Sequence, residues 1–196
     1  MNLTLKLLLY SLMEIDTNQT EEVIEVGKAN RLALLMLFPI AAIAIIPFVL
    51  IYGFEPLANG VIFLKNHQLQ ILVAFVLLIF IHEGLHGVTW AFFAKNGFKS
   101  IHFGIKWSYL TPYCHCNEPM KRKHYMLGGI MPGLITGVIP IIIAMVTANG
   151  WLLVSGIFLT SAAGGDILVL IRVLKYPSNL IFMDHPKEIG FIVFKS

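Results

Sequence analysis

Long apolar runs recur along the chain, separated by shorter polar stretches. A helix rises about 1.5 Å per residue and a bilayer core is about 30 Å thick, so about 20 apolar residues are enough to cross it. Four runs reach that length, and they predict transmembrane helices at about 32–52, 71–94, 126–148 and 151–173. Pro39 and Pro47 in the first run, and Pro132 and Pro140 in the third, are compatible with membrane helices whose neighbours re-satisfy the backbone. Asn149-Gly150 predicts a tight turn between the last two. Gly53 to Leu69 reads as a short connection.

The longest polar stretch is Lys95 to Tyr125. Within it Ile101, Phe103, Ile105 and Trp107 alternate with His102, Gly104, Lys106 and Ser108, the period of a half-buried strand. Tyr109 to Cys116 can return as a second strand, with Pro112 confining it to an edge. The predicted fold is an all-α membrane protein, residues 1–196 forming a single domain. It has four transmembrane helices and a cytoplasmic loop between helices 2 and 3 that forms a small β-hairpin. Ahead of the first span, Leu7 to Met13 is too short to cross a membrane and lacks a signal-peptide cleavage pattern, so it predicts an interfacial segment. Thr20 before Glu21, Glu22 and Val23 predicts a helix start. The tail from Leu174 to Ser196 is short and mixed, with a turn at Asp184-His185-Pro186.

Composition agrees with this class: 57% of residues are hydrophobic and only 13% charged. No basic stripe with interleaved aromatics occurs, so nucleic acid is not an expected partner. Four spans put both termini on one side, and 13 of the 14 Lys and Arg then share that side, Lys65 alone facing away. The positive-inside rule makes the termini and the central loop cytoplasmic, in a multi-pass protein of the cell membrane. The two cysteines, Cys114 and Cys116, are too close in sequence for an unstrained disulfide and are expected to be free thiols.

The second span carries the chemistry, in the run His82-Glu83-Gly84-Leu85-His86-Gly87. Residues four apart on a helix lie one above the other, so His82 and His86 present two imidazoles to one point, and Glu83 stands about 100° round from His82. This is the H-E-x-x-H zinc pattern, with Glu83 placed as the base that acts on water. In a chain with 7 His among 196 residues, about 0.01 accidental matches are expected. Catalytic zinc generally takes three protein ligands. Asp166 is the best third candidate, being the only acid inside spans one, three or four and following Gly164-Gly165, which permit close helix approach. Counted along helices that run the same way, His86 lies about 14 Å from Lys95 and Asp166 about 14 Å from Lys175, so the two come out level. Glu118, His115, His124, Asp184 and His185 are rival ligands, all in predicted loops. Burying Glu83 and Asp166 as anions costs on the order of 5–7 kcal/mol. Structural zinc in small peptides contributes about 10–16 kcal/mol. A bound Zn2+ offsets the burial.

Together with Pro132, Gly164-Gly165-Asp166, Asp184-His185-Pro186 and Gly190, the motif resembles the small bacterial integral-membrane zincin peptidases. The resemblance extends from about Leu69 to Phe194 and implies the broader site-2-protease-like class, which cuts substrates within or near the bilayer. It implies His82 and His86 as metal ligands, Glu83 as catalytic base and Asp166 as the later-span ligand. The sequence departs from the site-2 pattern in lacking an Asn and Pro upstream of an Asp-Gly pair, so the oxyanion partner stays open among Tyr113, His115, His124 and Tyr125. The expected function is zinc-dependent intramembrane proteolysis of membrane protein or peptide substrates. The alternatives are a divalent-metal transporter or metal-binding protein, and a non-catalytic interaction protein. The oligomeric state is not indicated.

Overall fold

The computed structural model describes residues 19–107, 111–186 and 188–195. The predicted interfacial segment at Leu7 to Met13 lies outside them. Strand β1 (Gln19–Ile24) leads into α1 (Val26–Tyr52), which is followed by α2 (Glu55–Asn66) and α3 (Gln68–Ala91). A 3-10 turn at Gly97–Ser100 opens the hairpin β2 (Ile101–Lys106) and β3 (Thr111–Cys116), followed by the short β4 (Met120–Lys121). Helix α4 (Arg122–Gly133) passes through a π-helical turn at Leu134–Val138 into α5 (Ile139–Thr147). Then come α6 (Gly150–Ala162), α7 (Gly164–Val173), β5 (Ile181–Asp184) and β6 (Ile189–Phe194). The fold is mostly helical, with three helical segments among the described residues long and apolar enough to cross a membrane, or four if the bent pair α6–α7 is one span.

Five expectations need correction. The chain is not all-α: beside the predicted hairpin it forms a four-stranded antiparallel sheet in the order β1-β6-β5-β4. The residues at Thr20 to Val23 are strand, paired with β6 from Gln19↔Phe194 to Ile24↔Ile189, and the helix begins only at Val26. A partner strand distant in sequence overrides the local capping signal there. The tail is the centre of that sheet. Gly190, Phe191, Ile192 and Val193 of β6 are all buried, so the strand has no polar face and shows no period-2 pattern. Residues 53–69 hold α2 rather than a simple connection. Its Gly60 lies against Gly150 and Trp151 so closely that a Cβ would meet their backbone at 2.3 Å.

The fifth correction concerns the last span, which is broken at Ala163 and bent by 47°. The run Ser161-Ala162-Ala163-Gly164-Gly165 contains the small residues at which kinks occur. A Cβ on Gly164 would come within 2.7 Å of Ala33, so the bend brings the first turn of α7 onto α1. Both sheets lie at the end of the molecule where α1 and α4 begin and α3 and α7 finish. Under the motif helix an aromatic core joins the two halves: Trp90, Tyr125, Phe182 and Phe191 are all buried and belong to one cluster. A second cluster, around Phe48, Ala144, Leu153 and Ile157, packs the helices further along.

Candidate metal centre

His82 and His86 sit one turn apart on α3, their rings 5.1 Å apart at 78°. The bend between α6 and α7 carries Asp166, in the first turn of α7, up to them. One carboxylate oxygen, Oδ2, lies 3.0 Å from His82 Nε2. The other, Oδ1, lies 3.5 Å from His86 Nε2. One ligand atom from each of the three residues falls within 4.8 Å of the others. The corners of a zinc tetrahedron with bonds of about 2.0–2.1 Å stand about 3.3 Å apart. Two nitrogens and a carboxylate oxygen with this spacing fit zinc by both chemistry and geometry.

The orientation of His86 has a backbone cause. Proline has no N–H, so Pro132 cannot bond the carbonyl four residues earlier, that of Gly128. His86 Nδ1 is 2.8 Å from that carbonyl oxygen. An N–H at Nδ1 donating there leaves Nε2 as the lone-pair nitrogen facing Asp166, the usual arrangement for a ligand histidine. Gly128 also admits Trp90, since a Cβ would stand 2.0 Å from the indole nitrogen. That indole stacks on His86 at 5.1 Å and 17° and donates to the Tyr125 carbonyl over 3.1 Å. The buried imidazole, 5% exposed, is therefore held by a carbonyl, an aromatic face and its own helix.

Glu83 lies on the same cavity wall, its carboxylate turned toward the backbone N–H of Cys114. The hairpin register explains this approach. Asn117 N–H donates to Ser100 O at 3.0 Å, so odd-numbered residues of β3 face β2 and even-numbered ones present their backbone groups at the open edge. Pro112 is among the even residues, so its missing N–H costs the ladder nothing. The cavity has a volume of about 670 Å³ and is walled by α1, α3, α4, α7, the hairpin and the β5–β6 turn.

The rival ligands are otherwise engaged. Glu118 accepts the Lys95 N–H at 2.6 Å. His124 stacks on Phe93 at 4.1 Å and is absent from the cavity wall. His185 Nδ1 accepts the Glu188 N–H at 2.9 Å. Asp184 takes His115 Nδ1 at 3.1 Å on one oxygen and the Tyr125 hydroxyl at 3.1 Å on the other. The cysteines are buried and free, and desolvation pushes both thiols above their ordinary range, against thiolate ligation. Arg172 is 2.8 Å from Glu22 on β1, not paired with Asp166. Sequence reasoning missed the Cys114 amide, the Pro132–Gly128–His86 relay and the Asp184 network. Only the relay left a trace, a proline four residues after a glycine in an apolar run.

The profile of a family described as "Putative zincin peptidase" matches residues 75–181, just over half the chain and most of the cavity wall. An uncharacterized 24.7 kDa protein of Pyrococcus woesei is 29% identical over 112 residues, 56% of this chain and 48% of its own. The chain thus spans about half the length of that curated relative. No solved structure matches the chain significantly.

Proposed function

Since the chain belongs to this zincin peptidase family, we propose that it is a zinc-dependent intramembrane metalloprotease of the site-2-protease-like class. The observation that carries the reading is the convergence of His82, His86 and Asp166 beside Glu83, within helices apolar enough to span a bilayer. Charged groups at such depth are costly and usually functional.

His82, His86 and Asp166 hold the metal, with His86 oriented by Gly128. Zinc, when bound there, moves the pKa of a water toward neutrality and polarises a substrate carbonyl. Glu83 takes a proton from the attacking water at its carboxylate, as the water oxygen bonds to the carbonyl carbon. Glu83 then returns that proton to the amine nitrogen as the C–N bond breaks. The Cys114 N–H steadies the Glu83 carboxylate between these transfers. A membrane-associated protein segment is the substrate, bound extended because a helical backbone hides the bond to be cut. The open edge of β3 supports this, offering the Pro112 and Cys114 carbonyls beside the cavity. The chain acts as one domain of the cell membrane, with both termini and both sheets on the cytoplasmic side where 13 of the 14 Lys and Arg fall.

The test uses full-length protein in detergent, with zinc measured by mass spectrometry and β-casein as a cleavage probe. The wild type is expected to hold about one zinc per chain, and Glu83→Gln to keep it while losing cleavage by roughly 1000-fold. Absence of zinc, or a Glu83→Gln variant that cleaves like the wild type, would sink the reading. Zinc flux in vesicles without cleavage would favour a transporter instead.

A further inference from the structure

A second histidine–carboxylate pair opens into the same cavity. His115, on β3, is buried, and its Nδ1 lies 3.1 Å from Asp184 Oδ2. Asp184 is fixed in turn by the Tyr125 hydroxyl, which also reaches the Gly190 carbonyl at 3.4 Å. Tyr125 thus holds one partly buried carboxylate, and that carboxylate holds one imidazole. His115 Nε2 has no protein partner among the described residues, and it is not among the buried polar atoms shut off from any partner. Since His115 lines the cavity, this nitrogen is accessible from it.

The position is close to the proposed chemistry. His115 and Cys114 are neighbours on β3 whose side chains point to opposite faces of the strand, yet both residues line the cavity that holds Glu83. On the far side, Asp184 lies within electrostatic reach of His86. The other candidates for an oxyanion partner are spent or misplaced. Tyr125 has given its hydroxyl to Asp184 and His124 is off the cavity, while Tyr113 lines the cavity but extends its hydroxyl over Gly104.

We propose that His115, aimed by Asp184, donates a hydrogen bond from Nε2–H to the scissile carbonyl oxygen as negative charge gathers there. This rests on the protease reading above. The pair is suited to the task in either proton arrangement. With Asp184 ionised, Nδ1–H donates to it and the charged ring keeps Nε2–H. With Asp184 protonated, its O–H donates to Nδ1 and the neutral ring again keeps Nε2–H. Burial pushes the Asp184 carboxyl above its ordinary value, which retains the shared proton within the pair. Asp184 is the positioning residue; His115 is the one that meets substrate.

The probe is a phosphinic analogue of a Phe–Leu dipeptide, whose tetrahedral P–O⁻ stands where the oxyanion forms, titrated into the zinc-loaded full chain. Acetohydroxamate, a small zinc ligand with no such oxygen, is the control. His115→Asn keeps a donor at the Nδ1 position, and so the brace to Asp184, but has none at Nε2; His115→Gln has the reverse. The Asn variant is expected to bind the phosphinate about 100-fold more weakly. It should bind acetohydroxamate and zinc as the wild type does, and Gln should recover at least about tenfold of the lost phosphinate affinity. A loss below about tenfold in the Asn variant, Asn and Gln weakened alike, or zinc lost with the Asn change would overturn the assignment. If the wild type itself holds no zinc, the protease reading and this inference fall together. If zinc and casein cleavage are present but the phosphinate does not discriminate, only His115 is displaced.

Discussion

Two aspartates face one cavity, and their surroundings give them opposite jobs. Asp166 offers an oxygen to each of two imidazoles projecting from a single helix turn, at 3.0 and 3.5 Å. His86 Nδ1 faces the Gly128 carbonyl, which turns its Nε2 lone pair toward the same point as His82 and Asp166, an arrangement suited to a cation. Asp184 is engaged on both oxygens instead: the Tyr125 hydroxyl donates to one, and the other shares a proton with His115 Nδ1. Its lone pairs are committed within the protein, and a metal would have to displace both partners. The same side-chain type beside histidine is therefore the proposed ligand in one place and the proposed brace in the other, and the partners already on its oxygens separate them.

The sharpest way to break the comparison is Asp166→Ala. Removing a direct ligand should weaken zinc binding by more than the 10–100-fold typical of second-shell changes, read by competition with a chelator. Asp184→Asn should leave zinc affinity unchanged while lowering stability by about 1–3 kcal/mol, because the His115 and Tyr125 donors lose a matched acceptor. If that variant loses zinc instead, the distinction between the two aspartates collapses. A smaller effect is expected from Pro132→Ala. Its restored N–H competes for the Gly128 carbonyl, loosening His86, and zinc should bind about tenfold more weakly with the helical circular dichroism unchanged.

The smallest effect concerns the clamp that ties α7 to the sheet. Glu22 accepts from Arg172 at 2.8 Å and from the Tyr176 hydroxyl at 2.7 Å. The Tyr176 hydroxyl, aided by Arg172, holds the Glu22 carboxyl below its ordinary value. A lowered carboxylate contributes stability that is complete above its unfolded pKa and disappears as pH falls through its folded pKa. Because the clamp is partly solvated, its contribution should stay below about 1 kcal/mol. The thermal midpoint of the wild type should fall more steeply than that of Glu22→Gln as the pH drops through the acid range; parallel curves would remove the clamp from the account.

Much of the helical framework was legible because length and apolarity are local properties. The motif helix, the hairpin at residues 101–116 and the level depth of His86 and Asp166 followed from counting at fixed rise and period. The four-stranded sheet was not legible. Its central strand β6 is buried on both faces and pairs with β1 across roughly 170 residues of sequence, from Gln19↔Phe194 onward. Neither a run of apolar residues nor a Thr-Glu-Glu start carries information about a partner so far away. The break at Ala163 was equally hidden, since a Gly pair is compatible with a straight helix until α1 supplies the contact at Ala33.

By itself the sequence determined which groups could do chemistry and roughly how deep they lie: spacing of three and four residues on a helix places His82, Glu83 and His86 with no help from elsewhere. Tertiary structure decided which carboxylate completes the set and which nitrogen of His86 is free. It also decided that a Cys114 amide and a His115–Asp184 pair share the cavity. Those depend on a bend, a proline-freed carbonyl and a strand edge meeting in space. Directional bonds between distant segments exist only once the backbone has closed around them.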